Sequence, residues 1–139
     1  MKFSTKGHYG LRAVVNLAKV HGEGALTLTE IARNEGLSLG YLEQIMAILR
    51  KAGLVKSKRG AHGGYQLTNE PASITVGDIL RVLEGPVAPT QCASEVVSPG
   101  CCERELDCPS RLVWQRMRDS IAHVLDSTTL ADLCRELKE

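Results

Sequence analysis

The stretch LTLTEIARNEGLSLGYLEQIMAILRKAG, residues 26–53, restricts the fold of this chain more than any other. It contains two helix starts separated by one glycine. Thr27 can accept a hydrogen bond from the backbone of Glu30 while Glu30 reaches back, which is a capping box, and Leu26 and Ile31 stand at the spacing of a hydrophobic staple. Gly36 stops this helix after about two turns, because glycine takes up the left-handed conformation without steric cost. Ser38 can cap the next helix, with Leu37 and Leu42 as its staple and Leu42, Ile45, Met46 and Leu49 as its buried face. Gly53 ends it. A short helix, a tight turn and a longer helix make a helix-turn-helix.

The flanking segments fit around that motif. Leu11, Val14, Val15 and Ala18 repeat along one face of an earlier helix that ends at Gly22 and Gly24. After Gly53, Leu54-Val55 and Tyr65-Gln66-Leu67 read as two short strands joined by a bend in which Gly60, Gly63 and Gly64 permit positive φ. Lys56, Lys58 and Arg59 make this hairpin a basic wing. Thr75 to Asp78 opens a further helix with Val76, Ile79, Leu80 and Leu83 apolar, closed by Gly85-Pro86. From there to Asp107 nothing is periodic, and so long an irregular segment in a small protein points to function or disorder. Pro109 stands where a first helical residue would, which makes Cys108 the expected N-cap of a long helix to about Asp126. Trp114, Met117, Ile121, Val124 and Leu125 form its apolar stripe. A last helix begins after Thr128 or Thr129, with Leu130, Leu133, Cys134 and Leu137 on one face. The expected class is mainly α with a small β wing.

Charge separates the two ends of the chain. Over 139 residues the formal net charge is only +1. Residues 1–70, however, carry ten Lys/Arg against five Asp/Glu, and residues 71–139 carry seven against eleven. Only the first half has the sign that suits phosphate. The chain holds no run of about 18 apolar residues, so no membrane span is expected. MKFSTKGHYGLRA lacks a signal peptide's apolar region and cleavage site, which points to the cytoplasm. Thiols there are kept reduced, so the cluster formed by four of the five cysteines reads as metal-binding, redox-sensing or catalytic rather than as a disulfide framework.

A helix fits the major groove and a hairpin tip can reach the neighbouring minor groove, so the basic half suits a double-stranded DNA operator. The exposed residues near the start of the second motif helix are Ser38, Tyr41, Glu43 and Gln44. Gln44 can bond an adenine edge, and Glu43 can accept from cytosine N4. Lys2, Lys6, Arg50, Lys51, Lys56 and Lys58 are assigned to phosphate, where they add affinity without sequence information. A helix-turn-helix that contacts protein instead is the alternative. No enzyme or small-molecule substrate is expected: GAHGG follows no βαβ pattern and lacks the P-loop lysine, and no paired carboxylates or Ser/His/Asp set stands in a recognisable setting.

MKFSTKGHYGLRA, LSLGYLEQIMAILRKAGLVKSKRGAHGGYQL and ITVGDIL together resemble the IscR-type family of bacterial winged-helix regulators. The likeness runs almost continuously over residues 1–85 and resumes in the cysteine segment and the helix beyond. It implies a winged helix-turn-helix domain over 1–85, a cluster-binding loop over 86–108, and a dimerisation helix with a C-terminal helix over 109–139. It also implies a homodimer in which Glu43 and Gln44 read bases, the wing Arg59 enters the minor groove, and the long helix pairs with its copy. The Trp114, Met117, Ile121 and Leu125 stripe suits that pairing, although it equally suits an intramolecular core. The family often has Ser where this chain has Gly40, so one hydroxyl contact is missing.

Thiolates are soft ligands for zinc, copper(I) or iron-sulfur clusters, and Cys92, Cys102 and Cys108 lack the close pairs of zinc ribbons and ferredoxins. By resemblance these three match the cysteines that hold an iron-sulfur cluster in many relatives. Cys101 is an alternative to Cys102. The two-iron relatives have a histidine three residues after the last cysteine, where this chain has Arg111, which lacks a free lone pair. In nitric-oxide-sensing relatives with a four-iron cluster, an acidic ligand comes from near the N-terminus of the other subunit, at the place of His8. Imidazole ligates iron in Rieske centres, so His8 of the partner subunit is the expected fourth donor. The cluster is therefore of two-iron or four-iron type, and the alternative for His8 is a surface histidine without a ligand role. A zinc site, a Cys101/Cys102/Cys108 thiol switch, sensing through a protein partner and an electron-transfer subunit are the competing readings. Cys134 reads as plain core.

Overall fold

The computed structural model describes residues 2–96 and 108–138. Helix α1 spans Thr5–Lys19, α2 Leu28–Glu35 and α3 Leu39–Lys51; strands β1, Val55–Lys58, and β2, Gly64–Leu67, follow. Then come α4, Val76–Glu84, α5, Arg111–Ser127, and α6, Leu130–Lys138, with single tight turns at Pro71–Ser73 and Gln91–Ala93. Among the described residues the fold is mostly helical with one two-stranded antiparallel sheet.

The helix boundaries follow the local chemistry of the sequence. Thr27 Oγ1 accepts from Glu30 N at 3.2 Å and a Glu30 carboxylate oxygen accepts from Thr27 N at 3.2 Å, which completes the capping box. Gly36 closes α2 at φ 66°, its N–H donating to Ala32 O. Ser38 Oγ accepts from Tyr41 N at 3.2 Å and so starts α3. Thr75 and Asp78 repeat the capping box at α4.

The long helix begins later than Pro109 suggests. Cys108, Pro109 and Ser110 form a turn closed by Arg111 N donating to Cys108 O at 3.3 Å. The helical ladder starts only at Ser110 O, which accepts from Val113 N at 3.1 Å and Trp114 N at 3.4 Å. Cys108 therefore stands just before the helix and is not its N-cap, a shift at the limit of ordinary boundary scatter.

The main core joins α1, α2, α3, the root of the wing and the chain's last helix: Val14, Leu17, Ile31, Leu42, Ile45, Met46, Leu49 and Leu130 are fully buried there. Helix α6 is locked on by two backbone bonds, Val76 N to Thr128 O and Leu130 N to Ile74 O, both 2.9 Å. A second, smaller cluster of Val76, Leu80, Val87 and Leu125 holds α5 against α4.

Helices α1 and α4 pack closely because Gly7 and Gly10 have no side chain. A Cβ on Gly10 would stand 2.2 Å from Leu83 Cδ1. At the same contact Glu84 Oε1 accepts from Ser4 N, Ser4 Oγ and Gly7 N at 2.9, 2.5 and 3.0 Å, so the last residue of α4 serves the free N–H groups at the start of α1.

Candidate nucleic-acid interface and cysteine site

Four apolar residues turned inward fix which side of α3 faces out. With Leu42, Ile45, Met46 and Leu49 in the core, Leu39, Gly40, Glu43, Gln44 and Ala47 are left exposed. Arg50 and Lys51 lie at its C-terminal end and are also exposed.

The wing follows through a tight turn in which Leu54 N donates to Leu49 O at 3.0 Å. Val55 and Leu67 pair at the root of the hairpin and are buried, while Lys56, Lys58 and Arg59 are exposed. Alternation along β1 puts Lys56 and Lys58 on one face, with Arg59 at the tip. Residues 55–67 contain no Asp or Glu, so nothing on the hairpin offsets that charge.

Two of the residues expected at the start of α3 have structural partners. Ser38 Oγ is the helix cap. Tyr41 is half-buried, and its hydroxyl lies 3.2 Å from Thr5 Oγ1, which connects the first turn of α1 to the first turn of α3. His8 is exposed on α1, edge-on to the Tyr9 ring with centroids 5.2 Å apart.

Of the cysteine segment, both ends are described and Cys101 and Cys102 lie outside the described residues. Cys92 sits in the tight turn Gln91–Ala93, half-buried, with its sulfur 3.1 Å from Thr90 Oγ1. Cys108 is half-buried with its sulfur 3.1 Å from Ser110 Oγ. A hydroxyl beside each sulfur can donate to a thiolate and so suits a metal-binding or redox-active thiol. Cys134 packs partly buried against the main core.

The segment's stem is held by a charge cluster that no sequence pattern announced. Arg81 on α4 donates to Glu95 at 2.7 and 2.9 Å and to Asp126, at the end of α5, at 2.5 and 3.0 Å. Glu95 also accepts from Val87 N at 2.6 Å. Hydrogen bonds from Arg81 hold the Glu95 and Asp126 carboxyls below their ordinary values, and the two carboxylates hold the guanidinium firmly protonated. Arg81, Glu95 and Asp126 are 14 and 31 residues apart in succession, so only the folded chain assembles them.

An outward helix following a tight turn, with a basic two-stranded wing behind it, defines the class of winged helix-turn-helix regulators. Residues 3–136 match the family model Rrf2, described as an iron-dependent transcriptional regulator, and the chain belongs to that family. It is 54% identical over 133 residues to the HTH-type transcriptional regulator CymR of Bacillus subtilis, covering 96% of this chain and 89% of that protein. The solved structure of the same regulator, described as the global cysteine regulator of B. subtilis, superposes with a TM-score of 0.81 at 51% identity, covering 98% of each chain. The structure of T. potens IscR gives a TM-score of 0.80 at 47% identity, covering 99% of this chain and 88% of that one. The protein is thus a transcription regulator of the Rrf2 family. Among the described residues, no helix is long and apolar enough to cross a membrane.

Proposed function

We propose that this regulator acts as a homodimer on double-stranded DNA and that an iron-sulfur cluster at the cysteine segment sets its operator affinity or operator choice. The observation that carries the DNA half is the exposed face of α3, with Glu43 and Gln44, continuous with a wing bearing Lys56, Lys58 and Arg59 and no acidic residue. On this reading Glu43 and Gln44 meet base edges, Arg59 enters the minor groove, and Lys56 and Lys58 neutralise phosphates. Ser38 and Tyr41 hold the start of α3 and offer hydroxyls to the backbone of the duplex.

Cys92, Cys102 and Cys108 would supply three thiolate ligands, with Cys101 as the alternative to Cys102 and His8 of the partner subunit as the fourth donor. The half-buried sulfurs of Cys92 and Cys108, each beside a hydroxyl, support this assignment. When bound, the cluster supplies sensitivity to iron-sulfur status, redox state or nitric oxide. Glu95, three residues beyond Cys92, is tied through Arg81 to both α4 and α5. A change at Cys92 therefore shifts α5 against the α1–α4 unit. In a dimer paired through α5, that shift alters the separation of the two recognition helices, which must match half-sites about 34 Å apart.

The test is anaerobic purification with absorption spectroscopy and iron and sulfide analysis, followed by gel shift of cluster-loaded, cluster-free and Cys92→Ala protein. Cluster-dependent affinity or site preference is expected. Identical behaviour of all three forms ends the cluster reading, and loss of salt-sensitive duplex binding in every form ends the DNA reading. Colourless, iron-free protein that still binds its operator selects the thiol or zinc alternative.

A second reading concerns the genes controlled. The B. subtilis relative is described as a global cysteine regulator, which favours targets in cysteine supply for this chain too. Transcript profiling of a deletion strain with and without added cysteine checks it, and a response confined to iron-sulfur assembly genes overturns it.

A further inference from the structure

Helix α3 leaves one large apolar side chain exposed. Leu42, Ile45, Met46 and Leu49 are at most 1% exposed, whereas Leu39, the first residue of the helix, is 44% exposed. Leu39 is not the staple that fixes the entry of the chain, because Leu37 and Leu42 already occupy those positions. Its neighbour does not shield it either: a Cβ built on Gly40 meets nothing within 4 Å. The remaining exposed large hydrophobics among the described residues, Phe3, Val96, Leu112, Val113, Met117 and Val124, all lie outside the helix-turn-helix.

Resting on the reading of α3 as the major-groove helix, we infer that Leu39 is a specificity residue that contacts the 5-methyl group of a thymine. The N-terminal residues of a recognition helix are those that reach base edges. Thymine alone shows an apolar group in the major groove, and apolar side chains recognise it. Glu43 lies four residues further along α3 and is also exposed. That spacing is about 6 Å along the helix, against a rise of about 3.4 Å per base pair, so Leu39 meets a pair one or two steps from the one Glu43 meets. Glycine at position 40 adds no side chain of its own beside Leu39, so the leucine can approach the methyl group directly, while the Ser38 hydroxyl is engaged in capping the helix.

The experiment selects duplexes from a randomised pool with wild-type protein, then replaces each thymine of the enriched duplex in turn by deoxyuridine, which lacks only the methyl group. Wild type is expected to lose roughly fourfold in affinity at one thymine per half-site, the worth of one buried methyl. Leu39→Ala is expected to bind thymine and deoxyuridine duplexes alike at that position, and Leu39→Met to restore the preference. Equal deoxyuridine penalties in wild type and Leu39→Ala, or no penalty at any position in wild type, overturn the assignment while leaving DNA binding intact. Failure of the wild-type protein to enrich any duplex overturns the DNA reading and this inference together. Leu39 is exposed, so circular dichroism and a thermal midpoint matching wild type are expected for both variants and separate loss of contact from loss of fold.

Discussion

Gly64 shows how one residue fixes the placement of the wing. Its φ is +146° and a Cβ there would stand 2.4 Å from the Leu26 carbonyl oxygen, where β2 and the segment before α2 exchange hydrogen bonds through Tyr65 and Leu26 at 2.8 and 3.0 Å. Both the strain and the clash involve backbone, which cannot move aside cheaply. Gly64→Ala is expected to destabilise the fold by roughly 1–3 kcal/mol in urea unfolding. Arg81 makes a prediction of another kind. Its hydrogen bonds depress the pKa values of Glu95 and Asp126 below the ordinary 4.5 and 3.8. A depressed carboxyl pKa adds stability that is fully present above the ordinary value and disappears as pH falls through the folded-state value. The thermal midpoint should therefore stay level above about pH 5 and drop below it, and Arg81→Gln should show a shallower drop. Equal acid sensitivity in the two proteins would show that the cluster does not contribute to stability.

On the proposed function, helix α3 and the hairpin divide recognition between them. If side chains on the exposed face of α3 meet base edges as proposed, Gln44→Ala should cost about 1–3 kcal/mol on the preferred operator and relax preference at a single base pair. Lys58 is exposed on β1, and on the proposed reading it meets phosphate. Lys58→Ala should weaken binding to all duplexes alike and reduce the slope of log affinity against log salt by about one per subunit. A titration across salt concentrations on operator and on unrelated DNA distinguishes the two behaviours. Both elements were legible in the sequence because their signals are local: Thr27, Glu30, Gly36 and Ser38 act on neighbours within four residues, and the glycines of the wing act on their own φ. The start of α5 was less so, since Pro109 is compatible both with a first helical turn and with the turn that precedes it.

Across the whole molecule, α5 has two different faces. Leu125 is 8% exposed and sits in the cluster with Val76, Leu80 and Val87, while Val113, Met117 and Val124, at 52%, 37% and 60%, are left open within one subunit. The apolar stripe expected on this helix therefore splits by face: Leu125 is buried against α4, while Met117 and Val124, with Val113 beside them, are left exposed, and on the proposed reading that open face pairs with a copy of the chain. Met117→Asp should leave the subunit folded, weaken the dimer at least about tenfold in sedimentation equilibrium and reduce operator affinity with it. Leu125→Asp should instead unfold the subunit, because it places a charge in the α4–α5 core. An unchanged dimer in Met117→Asp would exclude this face as the interface.

The sequence alone determined the helix-turn-helix, the wing and the basic sign of the first half, because capping, glycine conformation and 3.6-residue periodicity are properties of short segments. It also marked Cys92 and Cys108 by residue type. Only the tertiary structure decided that α6 completes the core around α1, that Glu84 caps a helix 80 residues before it in the chain, and that Arg81 joins the cysteine stem to α5. Such contacts bring together residues whose separation along the chain carries no information about their separation in space, and burial and charge pairing between them exist only once the chain has closed.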